Sequence, residues 1–345
     1  MDVKDLNIVN PSRILGAAVV GLGVGELHAE KYSSLSNCKL CLVYDLNKNK
    51  AKRVAERFGC GYAKEFEQIL NDPQIDIISI ASFDDAHCEQ IINSLSAGKH
   101  TFVEKPMCNT FTELEAIKSA WNNCKHSLKI SSNLILRTAI IYKWIKKVIS
   151  SGELGEIYAF DGDYLSGRLW KITHGWRGKI KDYSVMKGGG VHLIDLMVWL
   201  TGQQPTSVIT FGNRICTRNS EFSGNDFMTS TFKFDSGLIG RITANLGCVH
   251  RHQHVVRIFG TKATFICDDA GPRIHRTSNP EESFESIHLD TLPVHKGDLI
   301  PNFVKSIIEN IDLTSETQAI FDLMSMCTAC DEALAINREV EILYL

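Results

Sequence analysis

Three glycines at alternate positions, in Val19-Val-Gly-Leu-Gly-Val-Gly25, follow an apolar run and open a helical stretch. Gly21 and Gly23 suit a tight turn whose backbone, Val24 included, comes close to a diphosphate. The helix behind it offers free N–H groups and the positive end of its dipole. In the usual G-x-G-x-x-G spacing the third glycine would fall at Glu26; here Gly25 stands one place early. Asp45 ends the next apolar run, about 20 residues beyond the turn. A carboxylate there accepts both hydroxyls of an adenosine ribose and repels a 2′-phosphate. Together the two signals read as a dinucleotide site that takes NAD in preference to NADP.

Other residue types that do chemistry read differently. The chain has 11 cysteines, and two pairs, Cys38/Cys41 and Cys327/Cys330, have C-x-x-C spacing. Cys41 lies inside a strand pattern and the second pair inside a helical one, without a glycine knuckle. They read as buried thiols rather than zinc ligands. An odd count, in a chain long enough to fold without staples, suits a reducing, cytoplasmic setting. His250, His252 and His254 alternate, so in a strand they share one face. Ligands two apart on a flat strand splay, and no fourth ligand is evident. No metal site is expected; the three read as a polar patch on the open face of a sheet, touching substrate or a partner subunit.

These residues must be positioned by ordered elements. With 345 residues, 44% of them hydrophobic and 22% charged, the chain has room for two cores. Up to about residue 105, apolar runs alternate with amphipathic helices. That pattern implies β-α-β units and a parallel sheet covered on both faces. Leu128 to Ser131 is a candidate sixth strand. From about Gly155 the strands lengthen and alternate in polarity, which suits an open-faced, mostly antiparallel sheet. Helices are expected at Val191 to Leu200, Asn302 to Glu309 and Thr317 to Ile336. Pro272 to Pro293 reads as a surface excursion. The expected fold is α/β: a Rossmann domain over 1–130 and an α+β substrate-binding and oligomerisation domain over 131–345. The last helix is allowed to pack back on the first domain. A net charge of -3 gives no general attraction for nucleic acid or an anionic membrane. No apolar run approaches the roughly 20 residues of a membrane span. The polar start, MDVKDLNIVNPSR, does not read as a signal peptide.

Several segments resemble the Gfo/Idh/MocA family of sugar oxidoreductases. They are Val20-Gly-Leu-Gly-Val-Gly25, Ile80-Ala-Ser-Phe-Asp-Asp-Ala-His87, Ala97-Gly-Lys-His-Thr-Phe-Val-Glu-Lys-Pro106, Trp176-Arg177, Gly188-Gly-Gly-Val-His-Leu-Ile-Asp195 and Phe259-Gly-Thr-Lys262. All occur in family order. The resemblance implies that Lys105 lies beside the nicotinamide and bonds the reacting hydroxyl or carbonyl, where an ammonium stabilises developing negative charge. It implies a catalytic role for His192 as proton carrier. Ser82, His87 and Glu104 are expected near the cofactor. Many relatives carry an aspartate four residues before this histidine; that position is Gly188 here. Asp195 is a candidate to orient His192 instead, and Asp182 and Tyr183 lie just upstream. Arg137, Arg168, Trp170, Trp176 and Arg177 are candidate contacts for a polyol, an acidic sugar or a nucleotide-sugar phosphate.

The reaction the resemblance implies is hydride transfer between NAD and a carbon bearing a secondary hydroxyl, by a homodimer or homotetramer joined through the open sheet. Two alternatives stay open at this point. One is a glycosidase that oxidises its substrate transiently with tightly held NAD. The other is a dinucleotide-sensing regulator without turnover.

Overall fold

The computed structural model describes residues 14–345. The segment MDVKDLNIVNPSR lies outside them. Chain contacts divide the molecule into two compact units. The first takes the stretch up to Cys108, Thr112–Asn133 and His295–Phe321; the second takes Asn109–Phe111, Leu134–Val294 and Asp322–Leu345.

The first unit is built from β1 (Leu15–Val20), α1 (Gly25–Ser33), β2 (Cys38–Tyr44), α2 (Lys48–Phe58), β3 (Gly61–Tyr62), α3 (Phe66–Leu70), β4 (Ile77–Ile80), α4 (His87–Ser96), β5 (His100–Val103), α5 (Phe111–Asn123) and β6 (Ile130–Ser132). The six strands form one sheet in the order β3-β2-β1-β4-β5-β6, and every pairing is parallel. β1 and β4 are buried at every position. That is why both read as unbroken apolar runs: helices cover both faces.

The second unit holds α6 (Ile140–Ser150), β7 (Ile157–Leu165), α7 (Trp170–Thr173), α8 (Val191–Thr201), β8 (Ser207–Asn213), β9 (Phe227–Lys233), β10 (Ile239–Asn245), β11 (Gln253–Gly260), β12 (Thr264–Asp268), β13 (Gly271–His275) and β14 (Glu285–Ser286). After α9 (Ile300–Ile308) and α10 (Thr314–Ile336), β15 (Val340–Glu341) completes a nine-stranded sheet, ordered β14-β13-β12-β11-β7-β10-β9-β8-β15. All its pairings are antiparallel except β7 with β10. Along β9 and β10 burial alternates: Met228, Ser230 and Phe232 are buried, while Thr229 and Thr231 are partly exposed. One face is thus packed and the other open. The expected surface excursion after Pro272 instead begins with β13, which pairs β12 on one side and the short β14 on the other.

The unit boundaries do not follow a single cut near residue 130. α9 belongs with the first sheet: Ile300, Phe303, Val304 and Ile307 join the core made by Leu15, Val19 and Phe102. The Phe303 ring lies 5.7 Å from that of Phe102. Truncating this ring leaves a cavity in a close-packed interior. Phe303→Ala is expected to destabilise the first unit by about 3–5 kcal/mol, seen as loss of amide-exchange protection in β1 and β5 before that in β7 and β11.

Candidate functional site

At the end of β1 the chain turns at Gly21, whose φ is +80°. A Cβ there would lie 2.5 Å from the Ala81 carbonyl oxygen and the Ser82 backbone, so only glycine fits. Gly23 faces open space, whereas a Cβ on Gly25 would meet Val19 and Ala81 at 3.0 Å. Gly25 therefore serves the close helix–strand packing that the usual third glycine serves, and the early position is a shift of the same job by one residue. Glu26, freed from it, pairs with Arg57 at the surface. No side chain caps the start of α1, whose first N–H groups have no intrahelical acceptor. An uncapped helix start behind an open glycine turn fits a diphosphate.

Asp45 is anchored to this turn. Its carboxylate accepts from the Leu22 amide at 2.8 Å and from the Asn47 amide at 2.8 Å. Each oxygen keeps lone pairs for a diol. The carboxylate is fixed beside the glycine backbone, as a ribose contact requires.

The other first-unit residues expected near the cofactor are each bonded within the protein. Glu104 is 9% exposed and is held from within the protein. It accepts from the Asn133 amide at 2.6 Å and lies 3.2 Å from His28 Nε2. His28, fully buried, also meets the Ser79 hydroxyl at 3.0 Å. Asn133 donates in turn to the Lys296 carbonyl at 2.8 Å. Burial alone would push the Glu104 carboxyl up. The His28 hydrogen bond and charge, then Lys105 and Asn133, outweigh it and bring it down to about 2. Glu104 is thus an internal anchor under the half-buried Lys105. His87, fully buried, opens α4 and meets the Pro106 carbonyl at 2.7 Å. It braces the turn after the cis Lys105–Pro106 bond and presents no surface to a ligand. Ser82 donates to Gln90 at 2.6 Å.

In the second unit, Met186–Gly190 forms a single wide π turn that leads directly into α8, a device that recurs at functional sites. The glycines permit crowding: a Cβ on Gly189 would lie 2.4 Å from the Tyr164 ring, and one on Gly188 1.9 Å from the Tyr183 hydroxyl. The Tyr183 hydroxyl thus occupies the space that a side chain at 188 would need. His192 follows on the first turn of α8, 8% exposed. Its ring meets His254 edge-on at 5.9 Å, and His254 meets His252 at 5.0 Å and Tyr164 at 5.4 Å.

The three alternating histidines do not share one open face. β11 begins only at Gln253. His252 and His254 pack with Tyr164 on the face that carries α8, while His250 lies outside the strand and pairs with Asp269. Asp195 does not orient His192. It grips Arg137, whose Nε donates to the carboxylate at 3.0 Å and whose terminal amino group adds a second bond. Arg137 is therefore held in place by the protein, with its side chain 24% exposed. Arg177 lies over the Trp176 ring at 4.2 Å; Arg168 and Trp170 are exposed. Lys187 and Tyr164 were missed by the sequence reading. Lys187 is buried and bonded to Asp331 at 2.6 Å. Tyr164 was detectable from alternation in β7, which sets it on the same face as the buried Phe160 and Gly162. Among the described residues, no three His, Cys, Asp or Glu side chains converge to hold a metal.

The fold and the two clusters define an oxidoreductase with a nicotinamide-dinucleotide domain. Comparison with known proteins bears this out. The profile described as "Oxidoreductase family, NAD-binding Rossmann fold" matches residues 15–130, and the Gfo/Idh/MocA C-terminal domain profile matches 142–266. The chain belongs to the Gfo/Idh/MocA oxidoreductase family. It is 28% identical to scyllo-inositol 2-dehydrogenase (NAD(+)) of Bacillus subtilis over 72% of each chain. It is 22% identical to myo-inositol 2-dehydrogenase of Thermotoga maritima, over 73% of this chain and 74% of that one. The crystal structure of myo-inositol 2-dehydrogenase from Lactobacillus plantarum has the same fold: TM-score 0.80 and 20% identity, covering 96% of this chain and 100% of that one.

Two outcomes test this geometry. Asp45→Ser is expected to weaken NAD about 10- to 100-fold and to relieve discrimination against NADP, read by fluorescence titration of both cofactors. Glu104 has a depressed pKa, so its stabilising effect is full above the ordinary 4.5 and is lost as pH falls toward about 2. The urea midpoint should drop across that window, and Glu104→Gln should flatten the drop.

Proposed function

We propose that the chain is an NAD-dependent dehydrogenase of a cyclic polyol or sugar, interconverting a secondary hydroxyl and a ketone. The observation that carries the reading is the Asp45 carboxylate tied to the Leu22 amide beside an uncapped glycine turn. That arrangement has no use in a sugar-binding module and a direct one in seating an adenosine diphosphate. The relatives' own activities on inositols supply the substrate class.

Bound NAD supplies the hydride acceptor. The roles of the chain's residues follow from their chemistry. Lys105 carries its ammonium directly after the buried Glu104, whose negative charge favours the charged amine. There it donates a hydrogen bond to the substrate oxygen and stabilises alkoxide character as the carbon is oxidised. His192 takes the hydroxyl proton. An imidazole changes charge near neutral pH, so it returns the proton in the reverse direction. The His254 ring against it limits its rotation, and the Tyr183 hydroxyl fills the neighbouring position at 188. Trp176 offers an indole face on which the apolar face of a ring sugar stacks.

Two finer assignments accompany this reading. The open face of the nine-stranded sheet, laced by Arg241–Asp161 and Arg257–Asp163, is where we place a second copy of the chain. A cytoplasmic setting suits 11 cysteines that are all free. No helix of the described residues is long and apolar enough to cross a membrane.

Lys105→Ala is expected to keep NAD binding and lose about 100- to 10,000-fold in kcat, measured as NADH absorbance with myo-inositol and scyllo-inositol and as NAD affinity by calorimetry. Full turnover in that variant would remove Lys105 from the chemistry. A wild-type protein that binds neither pyridine nucleotide would remove the whole assignment.

A further inference from the structure

The segment from Tyr164 to Lys181 is one-sided in charge. It carries Arg168, Lys171, Arg177, Lys179 and Lys181, and no carboxylate falls between Asp163 and Asp182, in a chain whose net charge is -3. Several other arginines in the second unit are matched, Arg137 with Asp195, Arg241 with Asp161, Arg257 with Asp163 and Arg273 with Asp268, while Arg214, Arg218 and Arg338 have no carboxylate partner among the described residues. Arg168 and Arg177 have no carboxylate among the described residues. Arg177 lies instead over the Trp176 ring, with its donor edge left for another acceptor.

The backbone that carries these two side chains is held by close packing. Gly167, at φ +59°, abuts the His250 carbonyl so tightly that a Cβ would lie 1.9 Å from it; this pins the start of the segment. A Cβ on Gly175 or Gly178 would meet the Lys171 or Ile172 carbonyl at 2.5 and 2.1 Å. The Trp176–Lys179 turn is therefore pressed onto α7. Both guanidinium groups lie within electrostatic reach of the Tyr164 hydroxyl. Burial raises its pKa, while the Ser166 hydrogen bond, Arg168 and Arg177 lower it. Tyr164 is the residue whose ring packs against His254, and His254 against His192. Two guanidinium groups without a carboxylate partner thus act on the tyrosine whose ring borders the histidine cluster.

We infer that the substrate carries an anionic oxygen group, a carboxylate or a phosphate, which Arg168 and Arg177 bind while His192 handles a hydroxyl of the same molecule. This inference rests on the dehydrogenase reading above and narrows its substrate from neutral inositols to sugar acids or sugar phosphates. Guanidinium forks match such groups with two parallel hydrogen bonds. A neutral polyol would leave both charges unanswered.

The test compares kcat/KM, with NAD, for D-glucose and myo-inositol against D-glucuronate, D-gluconate and D-glucose 6-phosphate. At least one anionic sugar should exceed the best neutral one by about 10- to 100-fold. Arg168→Gln and Arg177→Gln should each cut that preference ratio by about tenfold, with NAD affinity and Tm as in the parent. Raising ionic strength about tenfold should also shrink the ratio, because Arg168 is exposed and Arg177 only partly buried. Glucuronate against glucose 6-phosphate tells carboxylate from phosphate. A neutral sugar that matches or beats every anion overturns the inference and leaves the dehydrogenase reading standing. So does an equal loss on both classes in the two variants. If no sugar yields NADH, the dehydrogenase reading fails by itself. The inference is then decided by calorimetry of glucuronate and glucose 6-phosphate on the NAD-loaded protein. Binding lost in Arg168→Gln/Arg177→Gln upholds it, and no binding to the parent overturns it.

Discussion

The hydrogen bond from the Leu22 amide to Asp45 ties the turn after β1 to the end of β2. It fixes which way the peptide planes of the glycine turn face, and it leaves the carboxylate with acceptor capacity on the same side. A charge-assisted bond of this kind is stronger than one between neutral partners. The steric ban on a side chain at Gly21 and the packing of Gly25 on Val19 serve the same end. Because a dinucleotide is recognised mostly by backbone donors, the affinity of the first unit rests on the position of a few peptide groups. Those positions rest on this one contact.

A second ionic device stands under Lys105. Glu104 and His28 are both buried, an arrangement whose desolvation cost is met only when the remaining hydrogen-bonding capacity is satisfied. Here Asn133 and Ser79 meet it. The result is a fixed negative charge next to an amine that must stay charged, held directly after the end of β5. The second unit uses a different principle. Its histidines and Tyr164 are positioned by edge-on ring packing and by glycines that let backbone and ring come together, with Arg137 and Asp195 locked to each other nearby.

The parallel sheet was readable in the sequence because strands buried on both faces must be apolar throughout, and β1 and β4 are. The glycine turn and Asp45 were readable because their constraints are local in the chain. The family blocks pointed to Lys105 and His192. What sequence could not carry were the partners. Glu104 and His87 read as cofactor contacts, yet they are buried against His28, Asn133 and Pro106, residues to which no spacing rule connects them. Arg137 read as a substrate contact for the same reason: its partner lies 58 positions away. The histidine alternation misled because β11 starts at Gln253, so periodicity was counted across a strand boundary. β13 was hidden because a five-residue strand that opens on glycine and proline looks like a loop.

The place of α9 in the first core has a consequence for how the molecule is made. Val19, Leu40 and Phe102 leave the ribosome before β7–β14, but Ile300, Phe303 and Val304, which cover them, are translated only after those strands. The nucleotide-binding sheet must therefore wait, with part of its apolar surface bare, while β7–β14 of the second sheet are synthesised. Folding from the N-terminus onward as each domain emerges is closed to this topology. The nascent chain is a natural client for chaperones that shield such surfaces.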